Sequence, residues 1–209
     1  MITFDHLAVT APSLPLGLIH VQSQTGLVLP KGGEHPQMAT HNAICRFSDS
    51  TYLEIITPNP ETEAPAHPRW FNLDHVTHSG LSAWIVRTDD IERCIARAAE
   101  IGINLGSATA LKRDRLQWRF SLRDDGTVPL GGAAPLIIQW DTEGPHPASN
   151  MPDLGMALTK LHITTPRAKE LHALLDCLGM KNPPEIAQGE HTKITADLCL
   201  PNNKEALLS

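Results

Sequence analysis

Cysteine is scarce in this chain of 209 residues: Cys45, Cys94, Cys177 and Cys199 are widely spaced and form no CxxC pair. Four dispersed thiols make no disulfide framework, and they fit a reduced, cytoplasmic setting. Aromatic residues are also few, at 4% of the chain, which argues against a base-stacking groove for nucleic acid. Positive charge is in deficit: 17 Lys and Arg against 23 Asp and Glu give a net charge of −6, without the basic face that neutralises phosphates. No apolar run approaches the roughly 20 residues that a membrane helix needs. The start, Met1-Ile2-Thr3-Phe4-Asp5-His6, lacks the basic segment and apolar core of a secretory signal. What remains is a composition 41% hydrophobic, that of a soluble globular protein with one large domain or two small ones. Its expected partner is a small molecule rather than nucleic acid or a membrane.

The chain starts over three times. Phe4 to Thr10, Leu81 to Arg87 and Leu161 to Thr165 each read as a short strand followed by turn residues, and aligning His6, Ala83 and His162 gives near-equal intervals. A helix follows each start. Ile91 to Ile101 is the clearest, with Asp89 and Asp90 at its beginning, Ile91, Cys94, Ile95, Ala98 and Ile101 on one face, and Gly102 as a stop. Arg167 to Leu178, closed by Gly179, behaves likewise. Leu14 to Gly26 is poorer, because Pro15 and Gly17 leave only a short helical core.

Strand-like runs come next: Gly26 to Pro30, Asn42 to Phe47 and Tyr52 to Thr57 in the first copy, then Asn104 to Leu111, Leu116 to Leu122 and Leu136 to Trp140 in the second. The third copy offers only Lys193 to Leu200 and a short Ala206-Leu207-Leu208 end. The fold class expected is α+β: repeated βαβββ modules forming curled mixed sheets around a cleft, with an abbreviated third module. Module 1 spans about 3–58 and module 2 about 80–142, together a paired unit over 1–143, with the partial third module over 156–209. Pro58 to Asn72 and Gly144 to Gly155 read as linkers. One face of each sheet is covered by its helix, and two open faces placed side by side make a cleft for a ligand. An apolar strand edge near 193–200 could instead pair with another chain, and a homodimer fits that reading.

The segment Gly32-Gly33-Glu34-His35-Pro36-Gln37-Met38-Ala39-Thr40-His41-Asn42-Ala43, followed by Tyr52-Leu53-Glu54-Ile55-Ile56, resembles the glyoxalase-like domain family of the vicinal oxygen chelate superfamily. Asp5-His6-Leu7, Trp84 to Asp90, Gln117-Trp118-Arg119 and Pro135 to Trp140 fit the same pattern in order. The resemblance covers about Thr3 to Thr142 well and the remainder weakly. It departs from the family at Ala39, where glycine is expected before Thr40.

The resemblance implies a divalent metal, Zn, Mn, Fe or Ni, held between paired modules by side chains of the first and last strands. The matching positions are His6 and Glu54 in module 1, with Ala83 and Gln139 in module 2; Ala83 cannot ligate, and Gln139 is a weaker ligand. Alternation puts His6 on a face with Phe4 and Ala8, and Glu54 on one with Tyr52 and Ile56. Imidazole and carboxylate suit such metals, and an open position could bind vicinal oxygens of a substrate. Without metal, Glu54 among Leu53, Ile55 and Ile56 needs a partner, for which Arg119 or Arg87 would serve.

His6 and Glu54 are thus both the candidate catalytic pair and the candidate ligands. The substrate-binding candidates are His35, His41 and Asn42 in the Gly32–Asn42 loop, and Trp118, Arg119 and Trp140 in module 2. Imidazoles titrate near neutrality, Asn42 can donate and accept, and the Arg119 fork matches an anionic or carbonyl oxygen. Structural readings stand beside these: a turn fixed by Pro36, tryptophans in the core, and an Arg119–Glu54 pair. The activity expected is a glyoxalase-like lyase, isomerase or dioxygenase acting on vicinal oxygens; the alternative is a metal-free small-molecule binding protein, favoured by the missing histidine at Ala83.

Overall fold

The computed structural model describes residues 2–209. Its elements run β1 (Thr3–Thr10), α1 (Leu14–Thr25), β2 (Lys31–His35), β3 (Thr40–Ser48), β4 (Thr51–Pro58), β5 (Gly80–Arg87), α2 (Ile91–Glu100), β6 (Ser107–Arg113), β7 (Leu116–Leu122) and β8 (Leu136–Trp140). The third unit follows with β9 (Ala157–Thr165), α3 (Ala168–Leu178), β10 (Glu185–Gln188), β11 (Lys193–Leu200) and β12 (Lys204–Leu208). The α+β class and the strand–helix–three-strand pattern of the first two units are as the sequence predicts; the third unit, expected to be abbreviated, has the same strand–helix–three-strand order.

The helices form for local reasons. Asp90 caps α2, its carboxylate accepting from Arg93 N at 3.1 Å, and Ile91, Cys94 and Ala98 bury one face. Gly179 ends α3 in the left-handed region (φ 74°). α1 runs the full Leu14–Thr25 span, longer than its composition suggests, because Pro15 sits in the first turn, where its missing N–H costs nothing. Gly17 is needed there: a Cβ would lie 2.4 Å from the Ile55 side chain of β4.

Units one and two share one eight-stranded sheet, ordered β2-β3-β4-β1-β5-β8-β7-β6. In each, the first strand pairs parallel with the last, and β1 pairs antiparallel with β5 to join the halves. The sheet curls until its edges meet, Arg113 Nη1 of β6 donating to His35 Nε2 of β2 at 3.1 Å and Lys112 N to Gln37 Oε1 at 3.1 Å. Alternation then sorts the side chains. Leu7, Val9, Leu53, Ile55, Trp84, Val86 and Ile137 face the helices. Ala8, Ile56, Ala83, Ile85, Phe120, Leu136 and Ile138 form the floor of the concave face. A fully buried aliphatic side chain of this kind contributes about 1.5–3 kcal/mol.

The third unit has its own sheet, ordered β10-β9-β11-β12, so β9 lies between two partners rather than at an edge. The short strand β10 is one the sequence pattern did not reveal. β11 is paired on both sides, which removes the edge expected near 193–200. Leu161, Ile163, Leu171, Leu174, Ile194 and Leu198 join the helix-side core of the first two units, so a single core serves all three. His162, matched to His6 in the alignment, lies on the outer face of this sheet, within 3.0 Å of Glu185 and 2.9 Å of Asp197.

One boundary near β2 moves. The first strand after α1 is Lys31–His35, not Gly26 to Pro30, so Gly32 and Gly33 belong to an edge strand. Ala39 has φ 48° and ψ 49°, in the left-handed region where glycine is at ease, so the glycine expected before Thr40 would suit this backbone.

Candidate functional site

The concave face holds a narrow, partly open cleft. Although aromatics are few, Tyr52, Trp70, Phe71, Trp118, Phe120 and Trp140 all line it. The polar groups come mainly from unit one: His6, His35, Asn42 and Glu54, with Arg113 added from β6.

His6 is nearly fully buried and stacks on Tyr52, ring centroids 4.2 Å apart and 17° from coplanar. Its Nδ1 lies 2.7 Å from Asp5 Oδ1. Strict alternation would put Asp5 on the opposite face from His6. Instead, the pairing of β1 with β5 slips between Phe4 and His6, and this bulge lets both neighbours serve the cleft while Phe4 packs toward the helices. Asp5 has no exposed surface, and its Oδ2 also accepts from Trp140 Nε1 at 3.1 Å and from His146 Nε2 at 3.0 Å. Burial alone would raise its pKa, but the hydrogen bonds and charges of His146 and His6 outweigh that and hold the carboxyl well below the usual range. An ionised Asp5 only accepts, so His6 carries a hydrogen on Nδ1 and turns Nε2 away from Asp5.

Glu54 Oε2 lies 3.7 Å from His6 Nε2, too far for a hydrogen bond. Glu54 Oε1 accepts from Asn42 Nδ2 at 2.5 Å, and Asn42 Oδ1 accepts from Gly33 N at 2.7 Å. The buried carboxylate therefore finds an amide, not an arginine. Arg87 donates to the carbonyls of Phe4 and Ser50, and Arg119 makes a bidentate pair with Asp141 at 3.0 and 2.9 Å.

Several expected site residues lie elsewhere. Arg119 and Gln139 sit on the helix-side face of β7 and β8, between Trp118 and Phe120 and between Ile138 and Trp140. Gln139 accepts from Ile91 N at the start of α2 and donates to Asp141, so it is a helix anchor and not a ligand. His41 alternates with Asn42 and turns away from the cleft. His35, Asn42, Trp118 and Trp140 do line it. Pattern reading passed over Asp5, Tyr52, Trp70, Arg113 and His146. Of these, only Asp5-His6 and the lone tyrosine beside Glu54 left a trace in the sequence.

His35 is a positioning group. Burial and then the Arg113 cation lower its pKa to about 3, so it stays neutral. Its Nε2 accepts from Arg113, and its Nδ1 donates to Thr40 Oγ1 at 3.2 Å.

The chain belongs to the glyoxalase-like domain family. The family model matches residues 4–179, reaching through α3 beyond the part most recognisable in the sequence. No curated protein matches the chain. Among solved structures, a hypothetical protein from Staphylococcus aureus is similar over 99% of this chain and 85% of its own, at 15% identity and a TM-score of 0.57. Methylmalonyl-CoA epimerase from Mycobacterium tuberculosis is similar over 68% of this chain and 88% of its own, at 16% identity and a TM-score of 0.43. The likeness to the staphylococcal protein supports the fold of all three units.

The divalent metal implied by the family does not fit these side chains. Among the described residues no three His, Cys, Asp or Glu side chains are grouped to hold a metal ion. His6 Nε2 and Glu54 Oε2 are two donors, but Ala83, Ile85, Leu136 and Ile138 supply none from unit two. The other imidazole of the cleft, His35, has its Nε2 occupied by a guanidinium, whose charge opposes a nearby cation. No helix among the described residues is long and apolar enough to cross a membrane.

Proposed function

We propose that this chain is a small-molecule enzyme that moves a proton on a planar, aromatic-bearing substrate, with His6 as the base and no bound metal taking part. One observation carries the reading: Asp5 holds His6 by Nδ1 at 2.7 Å and leaves Nε2 facing Glu54 Oε2 across a 3.7 Å gap inside an aromatic cleft. A fixed tautomer, a buried counter-charge and a second proton carrier are what general acid–base chemistry requires.

The step that fits is removal of a proton from carbon next to a carbonyl. His6 Nε2 takes the proton, and the new imidazolium is stabilised by the Asp5 carboxylate. The Glu54 carboxylate, oriented by Asn42 and facing Nε2, receives that proton from the imidazolium and returns it to a neighbouring atom of the substrate. Return to a neighbouring atom is isomerisation; loss of a group from the carbanion is elimination. The aromatic walls hold the planar part of the substrate and exclude water, which strengthens each electrostatic contact.

Solvent deuterium exchange tests this directly. Arylacetaldehydes, arylpyruvates and aryl ketones are incubated with the protein in D₂O, and their α-protons are followed by NMR. Wild-type protein is expected to speed exchange in at least one class, and His6→Gln to lower that rate by about 10²–10⁴-fold. Compounds that quench tryptophan fluorescence on binding yet exchange no faster than in buffer would sink the reading. The alternative, a metal-free binding protein, would then stand. It is favoured by the unit-two side of the cleft, where Trp118, Phe120, Ile138 and Trp140 offer an almost wholly apolar wall.

A further inference from the structure

Beside His6 Nε2 and Glu54 Oε2, two donors of the cleft have unused hydrogen-bonding capacity. Arg113 lines the cleft and makes no ion pair with any carboxylate among the described residues. Its hydrogen-bond contact is with His35, through one Nη1, which leaves most of the five guanidinium donors free. The Arg113 side chain also lies where a Cβ on Gly33 would fall, 2.7 Å from Nη1, so a residue without a side chain at this point of β2 is what lets the guanidinium seat against the strand. Trp70 is 4% exposed and lines the same cleft, yet its Nε1 has no acceptor. A buried N–H left without a partner is costly, so a site that leaves one is completed by something that accepts. The two side chains share a neighbour in His35, which receives the Arg113 hydrogen bond and meets the Trp70 ring edge-on, centroids 5.2 Å apart.

We infer that Arg113 and the Trp70 indole N–H form an anion subsite, and that the substrate of this cleft carries a carboxylate which Arg113 pairs with and Trp70 orients. The inference deepens the proton-transfer reading by naming the substrate class: a planar aromatic carboxylic acid with its reacting carbon near His6. A neutral His35 is suited to this arrangement. It steers the guanidinium through a lone pair and adds no charge of its own. The guanidinium matches a carboxylate with two parallel hydrogen bonds, and in an aromatic cleft that pairing is weakly screened.

Calorimetry with non-reacting probes separates this from the catalytic reading. Benzoate, phenylacetate and 3-phenylpropionate are each titrated beside the corresponding neutral amide. Wild-type protein is expected to bind at least one carboxylate about tenfold or more tightly than its amide. Arg113→Met should abolish that preference, and Arg113→Lys should restore part of it. Trp70→Phe keeps the aromatic plane and loses the donor, and it should weaken the carboxylate by severalfold while leaving the amide unchanged. Equal affinity for every carboxylate and amide pair, or a preference that survives Arg113→Met, overturns the subsite. Deuterium exchange without carboxylate preference would sink the subsite alone. Carboxylate preference without exchange would sink the proton-transfer reading alone.

Discussion

Asp5 and His6 are sequence neighbours on a β-strand, yet their side chains are hydrogen-bonded to each other at 2.7 Å on the same side of the sheet. A bulge in β1 makes this possible, and the consequence is a base whose tautomer is set by the residue beside it. Asp5→Asn keeps the shape and removes the charge. The amide can offer His6 Nδ1 either an oxygen or an N–H, so the tautomer is no longer imposed. Exchange or turnover should fall by about 10²–10⁴-fold, as when the carboxylate of a catalytic triad is neutralised. Binding of an aromatic ligand should change little. Nitrogen NMR of the imidazole reads the tautomer directly; a single Nδ1–H form persisting in Asp5→Asn would contradict the assignment.

Glu54 depends on Asn42 as its local partner, and Asn42 in turn is held by Gly33 N. Asn42→Ala leaves one carboxylate oxygen of a buried residue without its donor. The expected cost is about 1–3 kcal/mol of stability, seen as a lower midpoint in urea with an unchanged slope. The freed Glu54 should also reorient and slow the proton-returning step. A variant as stable as wild type would mean that solvent already satisfies Glu54.

Much of this site was legible before any coordinates. The three starts, α2, α3, β7 and β8 follow from apolar periodicity, turn residues and caps, all of which act locally. His6 and Glu54 follow from the resemblance to the family, and strand alternation supports Glu54 beside Tyr52 and Ile56 but groups His6 with Phe4, which packs toward the helices. The errors have physical causes too. Gln139 and Arg119 are one position out of phase, and a one-residue slip turns a side chain to the other face. Asp5 escaped because a bulge breaks alternation. Trp70 and His146 lie in segments read as linkers, which carry no periodic signal. Arg113 reaches the cleft only because the sheet curls far enough to bring β6 against β2, a long-range property that no local window contains.

Acid should destabilise the fold through His35. The unfolded chain takes up a proton on this residue below about pH 6.5, whereas burial and Arg113 keep the folded form neutral down to about 3. The unfolded state therefore binds more protons across that window, so stability falls as the pH drops through it and is flat above it. For this single group the slope is at most ~1.4 kcal/mol per pH unit. Asp5 adds a loss of the same sign further down: its depressed carboxyl stabilises the fold above the ordinary value of 3.8 and ceases to as the pH falls through its lower folded value. His35→Gln should flatten the dependence between pH 6.5 and 3 while leaving the lower limb in place. Urea unfolding at several pH values measures both, and an equally steep slope in His35→Gln would assign the effect to other groups.

The donor set also predicts how the protein treats metal ions. One imidazole nitrogen of His6 is taken by Asp5, which leaves Nε2 and Glu54 Oε2 as the two donors that face each other. Zn²⁺ in a catalytic site is held by three protein ligands, and two donors beside an arginine fall short of that. A third would have to displace Arg113 from His35 or come from β8, whose cleft-facing residues Leu136, Ile138 and Trp140 have nothing suitable to offer. Protein purified in the presence of Zn²⁺, Mn²⁺ or Ni²⁺ and then dialysed should retain far less than one ion per chain. Treatment with a chelator should leave the deuterium exchange rate unchanged. One ion per chain that survives dialysis, and that both His6→Ala and Glu54→Ala lose, would mean that the cleft recruits a ligand from outside this arrangement, and the metal-free mechanism would have to be given up.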